Sequence, residues 1–193
     1  MKSKKICLLL GKPEETFKLK KAILRKNWQV ISKNKKLSLK DIKNTDLVIT
    51  FNYRLIIKKN ILKKLKRPPV NLHISYLPYN KGCHPNFWSF VENTPKGVTI
   101  HEVDKGVDTG DIVYQRKIFF NINKKINDNF YKKNNILLAE IQKLFLNKID
   151  QILKRKYKLK KQKKGGSFHY RGDLPLFMKK NWKSNIKVTL KNL

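Results

Sequence analysis

Acidic residues are scarce in this chain. Its 193 residues hold 13 Asp and Glu against 46 Lys and Arg, a formal net charge of +33. Cysteine is scarcer still: Cys7 and Cys83 are too few for a disulfide framework or a zinc site. No metal is therefore expected, and the expected compartment is the reducing cytoplasm. No apolar run reaches the ~18 residues a membrane-spanning helix needs, so no membrane is expected as a partner. The basic start leads into an apolar stretch, Ile6–Leu10, too brief for a signal peptide. What is present speaks against a disordered polycation, because 40% of residues are hydrophobic and 10% aromatic. The length suits one domain, or one domain with a tail.

The charge invites a nucleic-acid reading, since cations that neutralise phosphates gain affinity by releasing counterions. Arginine, the residue that grips phosphate and guanine bidentately, argues the other way. Only six are present: Arg25, Arg54, Arg67, Arg116, Arg155 and Arg171. Alanine occurs only at Ala22 and Ala139, while Asn, Lys and Ile abound, as A/T-rich codons produce. The lysines are spread along the chain, with one dense block at Lys154–Lys164. A solvated basic surface is the favoured reading, with nucleic acid as the less favoured partner.

Short apolar runs bounded by polar turns predict strands at Ile6–Leu10, Leu47–Phe51, Val70–Ile74, Val98–Val103 and Ile112–Ile118, with a weaker one near Gln29–Ile31. Helical spacing appears over Glu14–Lys26 (Phe17, Ala22, Ile23, Leu24) and over Ile56–Leu65 (Ile61, Leu62, Leu65). Strands alternating with helices suggest an α/β fold with a mostly parallel sheet. After Gly97 two strands follow in succession. A long helix then runs from Asp128 to about Lys154, its Phe130, Leu137, Leu138, Ile141, Leu144, Phe145, Ile149 and Leu153 forming a wide core stripe. The expected division is a domain over residues 1–159 and a basic tail over 160–193 that carries the turn GGSFHYRGDLP.

The segment VNLHISYLP holds the first polar cluster. Residues two apart on a strand share a face, so Asn71, His73 and Ser75 point one way and Val70, Leu72 and Ile74 the other. A carboxamide, an imidazole and a hydroxyl together make a poor core face. They stand at a strand end before a proline loop, where open α/β sheets place their ligands. The second cluster, GVTIHEVDKGVDTGDIVYQ, folds two glycines and three aspartates into one tight loop, Asp104–Asp111. Glu102, Asp104, Asp108, Asp111 and nearby Glu92 are five of the chain's 13 acidic residues, a gathering that charge drift does not produce.

NLHISYLPYNKGCHPNFWSF followed by GVTIHEVDKGVDTGDIVYQ resembles the folate-dependent formyltransferases, most closely the sugar N-formyltransferase branch. The matching positions are Asn71, His73, Ser75, Leu77, Pro78, Gly82, Pro85, Trp88, His101, Asp108 and Gly110. The likeness spans about Asp46 to Ile118. It implies a Rossmann-like three-layer α/β/α fold and 10-formyltetrahydrofolate as formyl donor. It also implies a catalytic set of Asn71, His73 and Asp108. In that set Asn71 donates to the developing oxyanion, His73 donates or moves a proton, and Asp108 holds the imidazole. The pterin is expected against Phe51, Asn52 and Tyr53 on one side and Val103, Asp104, Gly106 and Val107 on the other. Ser75, Tyr76, Pro78, Lys81 and His84 are expected on the acceptor side, with His84 otherwise a loop residue. His101 is read as a strand histidine bonding within the sheet.

Two departures narrow the acceptor. The first strand ends LLLGKPEETF, without the glycine-rich, serine-containing phosphate turn of the glycinamide ribonucleotide enzymes. The residues after Ile118 are too few for the tRNA enzymes' second domain, which disfavours that acceptor. The expected acceptor is an amine on a nucleotide-linked sugar. Formyl transfer to methionyl-tRNA and a non-catalytic RNA-binding module are the alternatives, and a homodimer is left open.

Overall fold

The computed structural model describes residues 3–121 and 128–193. Its strands carry two distinct faces from the first. In β1 (Ile6–Leu10), Cys7 and Leu9 pack to one side of the sheet and Leu8 and Leu10 to the other. A strand apolar on both faces belongs in the interior of a parallel sheet, and β1 lies between β2 (Gln29–Lys33) and β3 (Leu47–Phe51), parallel to both. β4 (Val70–His73) continues the parallel set beside β3. The sheet then turns antiparallel through β6 (Gly97–Glu102) and β7 (Ile112–Lys117), giving the order β2-β1-β3-β4-β6-β7. A separate two-residue strand, β5 (Lys81–Gly82), lies in the loop after β4.

Helices cover both faces. α1 (Pro13–Leu24) opens on a proline with Glu14 and Glu15 in its first turn, favourable chemistry at a helix start, and buries Thr16, Leu19 and Ile23. α5 (Phe130–Lys154) starts where the Asn129 side chain accepts a hydrogen bond from the Lys132 amide, and stops at Arg155 in the left-handed conformation. Its stripe of Leu137, Ile141, Leu144, Phe145, Ile149, Ile152 and Leu153 joins α1 and one face of β1, β3, β4 and β6 in the main core. Each such buried side chain contributes on the order of 2 kcal/mol. On the other face, α2 (Leu39–Ile42) and α3 (Lys59–Leu62) pack with Leu8, Leu10 and Val48. The three-layer α/β/α architecture and the long helix match the expectation. α3 is shorter than the predicted Ile56–Leu65 helix. Its N-cap is Lys58, which has no side-chain acceptor, and Lys58, Lys59, Lys63, Lys64 and Lys66 repel one another around it.

α4 (Pro85–Val91) buries Phe87 and Phe90 against Phe130, and residues beyond 159 close this third cluster. Leu174, Met178 and Ile186, the last in α6 (Ile186–Lys191), are buried there. Upstream of them β8 (Phe168–His169) pairs in parallel with β5, so the chain returns to the loop that follows β4. Among the described residues, no helix is long and apolar enough to cross a membrane.

Candidate active site

The face of the sheet opposite α1 and α5 carries a row of polar side chains. Thr50 of β3, Asn71 of β4 and His101 of β6 stand abreast in the strand register, with His73 opposite Thr99 one step on. Thr50 Oγ1 donates to Asn71 Oδ1 at 2.6 Å, which fixes the carboxamide with its NH2 group turned toward β6. There Asn71 Nδ2 lies 3.0 Å from His101 Nε2 and 3.1 Å from Asp108 Oδ1. His101 Nδ1 sits 2.8 Å from the Glu102 carbonyl oxygen, which can only accept. Nδ1 therefore carries the hydrogen, and Nε2 is free to accept from Asn71.

Asp108 reaches this row from the loop between β6 and β7. Its own backbone is left-handed, with φ near 53°. One carboxylate oxygen faces Asn71 and His101; the other accepts the Gly82 N–H at 2.9 Å and lies 3.7 Å from His73 Nδ1. Gly82 has φ +85°, and a Cβ there would come within 2.3 Å of the His169 carbonyl, so only glycine fits. Gly110 is just as tight: a Cβ would lie 1.9 Å from the Glu102 carbonyl oxygen. His73 Nε2 lies 3.3 Å from the Asn80 carbonyl and donates to it.

Burial governs the charges. It pushes the His73 imidazole down, with the nearby Asp108 charge the largest opposing influence, so the ring favours its neutral form. Burial alone raises Asp108, but His73 and His101 beside it and the Gly82 N–H outweigh it. The carboxyl stays well below its usual range. A neutral imidazole with a free Nδ1 thus faces a fixed carboxylate. Ser75 Oγ, buried in the loop just past β4, has no hydrogen-bond partner among the described residues.

The other expected residues fall in several places. Phe51 packs into the α1/α5 core, on the face away from Asn71. Asn52 is left-handed and donates to Glu15 at 2.8 Å, while the Tyr53 hydroxyl donates to the Lys35 carbonyl. Val103 N–H donates to the Pro69 carbonyl, and Asp104 Oδ1 accepts from Gly106 N and Thr109 Oγ1, shaping the loop that carries exposed Val107. Tyr76 and Pro78 lie in the turn after β4, where the Leu77–Pro78 bond is cis. Lys81 N donates to the Ser167 carbonyl. His84 is the left-handed residue capping α4, its ring tilted on Trp182 with centroids 5.5 Å apart.

His101 bonds within the sheet as expected, to Asn71 of the neighbouring strand, and its ring also lies 3.3 Å from Asp108. The alternation of Thr99 and His101 with Val98 and Ile100 was its signal. The C-terminal segment is a further contributor. Gln162 Nε2 donates to the carbonyls of Asp108 and Gly110, each at 2.8 Å. The His169 ring stacks on Trp88 at 4.0 Å, and its Nε2 lies 2.7 Å from Glu92 Oε1. Glu92 Oε2 also accepts from Asn80 Nδ2 and Ser167 Oγ, so the loop that meets His73 is clamped from both sides.

An amide donor, a neutral imidazole and a fixed carboxylate side by side suit acyl-type transfer, with negative charge growing on an oxygen while a proton moves. Among the described residues no cluster of His, Cys, Asp and Glu is arranged to hold a metal.

The formyltransferase PseJ of Anoxybacillus kamchatkensis, solved with UDP-4,6-dideoxy-4-formamido-L-AltNAc and tetrahydrofolate, is 36% identical. The match covers 94% of this chain and 96% of that one, with a TM-score of 0.86. The bifunctional polymyxin resistance protein ArnA of Wigglesworthia glossinidia brevipalpis is 36% identical over 113 residues, 58% of this chain and 16% of that protein. Methionyl-tRNA formyltransferase of Prochlorococcus marinus is 29% identical over 174 residues, 81% of this chain and 50% of that protein. The chain thus spans half or less of the length of these last two. Residues 6–137, which include the whole polar row and Asp108, match the Formyl transferase family model, and the chain belongs to that family.

Proposed function

We propose that the protein transfers a formyl group from 10-formyltetrahydrofolate to an amine on a nucleotide-linked sugar. The observation that carries the reading is Asp108 standing between Asn71 and His73, in a chain that aligns over 94% of its length with a formyltransferase solved with a UDP-linked formamido sugar and tetrahydrofolate. The donor, when bound, supplies an activated formyl carbon. Asn71 is oriented by Thr50, and its amide, held between His101 and Asp108 before substrates bind, turns one N–H to the formyl oxygen as the amine adds. His73, neutral at Nδ1, takes the proton that the amine must shed. Asp108 steadies the resulting imidazolium and lets the proton pass on to the departing nitrogen. The unpartnered Ser75 hydroxyl supplies a further polar atom for a folate or acceptor group.

Residues 1–159 form the catalytic domain in this reading, and 160–193 buttress its loops. We also propose a cytoplasmic location, supported by the free cysteines Cys7 and Cys83. The test is formyl transfer by the purified protein to a panel of nucleotide-linked amino sugars, with methionyl-tRNA as competing acceptor. Tetrahydrofolate release that depends on an amino sugar and is lost in Asn71→Ala and His73→Ala supports the reading. Turnover with methionyl-tRNA alone overturns the acceptor, and unchanged turnover in both variants overturns the site.

A further inference from the structure

Two acceptors compete for the single hydrogen of the neutral His73 ring. The Asn80 carbonyl lies 3.3 Å from Nε2, and Asp108 Oδ2 lies 3.7 Å from Nδ1. A neutral imidazole donates from only one of its nitrogens. The carboxylate is the stronger acceptor of the two. A small shift of the ring away from Asn80 would therefore draw the hydrogen to Nδ1, where the reaction needs a lone pair. Whatever fixes the Asn80 carbonyl also fixes the base.

Asn80 lies between β4 and β5, in neither strand. It is wholly buried and left-handed, with φ 54°. Each of its polar atoms nevertheless has a partner. Its backbone N–H donates to Ser167 Oγ at 3.0 Å, and its Oδ1 accepts from Thr94 Oγ1 at 2.8 Å. Its Nδ2 donates to Glu92 Oε2 at 2.9 Å. Glu92 is common to most of these bonds. The same Oε2 accepts from Ser167 Oγ at 2.6 Å, and Oε1 lies 2.7 Å from His169 Nε2. One carboxylate thus grips Asn80 directly, again through Ser167, and binds β8 to the same point. Its own place is set at the C-cap of α4, one turn after the Trp88 ring that stacks on His169.

We propose that Glu92 is a positioning residue for His73: through the Asn80 carbonyl it keeps the imidazole hydrogen on Nε2 and the lone pair on Nδ1, facing Asp108. Glu92 acts only through Asn80. Its effect on turnover rests on the formyl-transfer reading above, whereas the tautomer can be read without any substrate.

The test is NMR of the isotope-labelled imidazole nitrogens in the full chain at about pH 8, where an ordinary histidine is neutral. His73 is assigned by its loss in His73→Gln. Wild type is expected to carry the hydrogen on Nε2. Glu92→Ala should move the tautomer ratio roughly ten-fold toward Nδ1–H, the scale of one lost hydrogen bond. Glu92→Gln keeps an oxygen for Asn80 and Ser167 and should retain the wild-type tautomer. Thr94→Val removes the other anchor of the Asn80 side chain; it should act in the same direction, and it carries the test if Glu92→Ala does not fold. In turnover, Glu92→Ala should lower kcat roughly ten-fold with little change in KM for the folate, and Glu92→Gln should restore most of it. A wild-type tautomer in both folded variants overturns the proposal, as does a wild-type ring already protonated at Nδ1. A shifted tautomer with wild-type kcat overturns the positioning role. A shifted tautomer in a chain that transfers no formyl group supports the hold on His73 and overturns the formyl-transfer reading alone.

Discussion

His101 presents Nε2 to Asn71 Nδ2 at 3.0 Å because its Nδ1 hydrogen is committed to the Glu102 carbonyl. The tautomer of one side chain therefore sets the rotamer of the other. Thr50 works from the opposite flank, so Asn71 cannot flip its carboxamide without breaking three bonds, to Thr50, His101 and Asp108. His101→Ala should lower kcat at least ten-fold with little change in KM for the folate, and cost about 1–3 kcal/mol of stability through the groups left unpaired. Thr50→Val should show the same pattern, weaker. Asn71→Ala should cost ~10²–10³ in kcat. Equal kcat in wild type and His101→Ala would show that the row does not orient the amide.

The pH response follows from burial. His73 sits below the ordinary imidazole value of 6.5, so its lone pair survives into mildly acid solution. The acid limb of kcat assigned to His73 should lie below pH 6.5. Asp108→Asn removes the charge that pulls His73 upward, so the limb should move further toward acid as the rate falls. For stability, a folded pKa below the unfolded one gives a contribution fully present above 6.5 and lost as pH falls through the folded value. Asp108 adds a second loss below 3.8, its ordinary value. Thermal midpoints from pH 8 to 4, compared between wild type and His73→Gln, should diverge as the pH rises through this window. Parallel curves would remove His73 from the account.

Gln162 closes the Asp108 loop from a distant part of the chain. Gln162→Ala should cost about 1–3 kcal/mol and slow formyl transfer, because the carboxylate beside His73 loses its latch. A stability loss without any change in kcat would confine Gln162 to packing.

The two thiols should behave differently toward a thiol reagent. Cys7 is fully buried in β1, and burial pushes its thiol up to about 12, so it should stay unmodified in the native chain. Cys83 is partly exposed between Gly82 and His84. One equivalent should react, vanish in Cys83→Ser, and slow when an acceptor fills the cleft. Two fast equivalents in native protein would contradict the burial of β1.

The parts of this molecule legible in the sequence are those whose signal is local. β1 and β3 announce themselves because central parallel strands are apolar on both faces, and Asn71 and His73 share a period of two. His101 shows the same alternation, yet its meaning depends on β6 lying antiparallel to β4 in one particular register. That is a non-local fact, and no window of residues contains it. β8 is only two residues long, too short for any periodicity, so the pairing of Gly82 with His169 was invisible. The stacking of His169 on Trp88 and the grip of Gln162 on Asp108 have the same character.

The pairing of β5 with β8 also bears on how the protein is born. Asn80 is bonded to Ser167 across 87 positions of chain. At ~5–20 residues per second, a ribosome finishes the second partner on the order of ten seconds after the first. The parallel core of β1 to β4 needs nothing from that late segment and is free to condense early. The clamp around His73 has to wait. Competence toward the acceptor is thus among the last properties the nascent chain acquires.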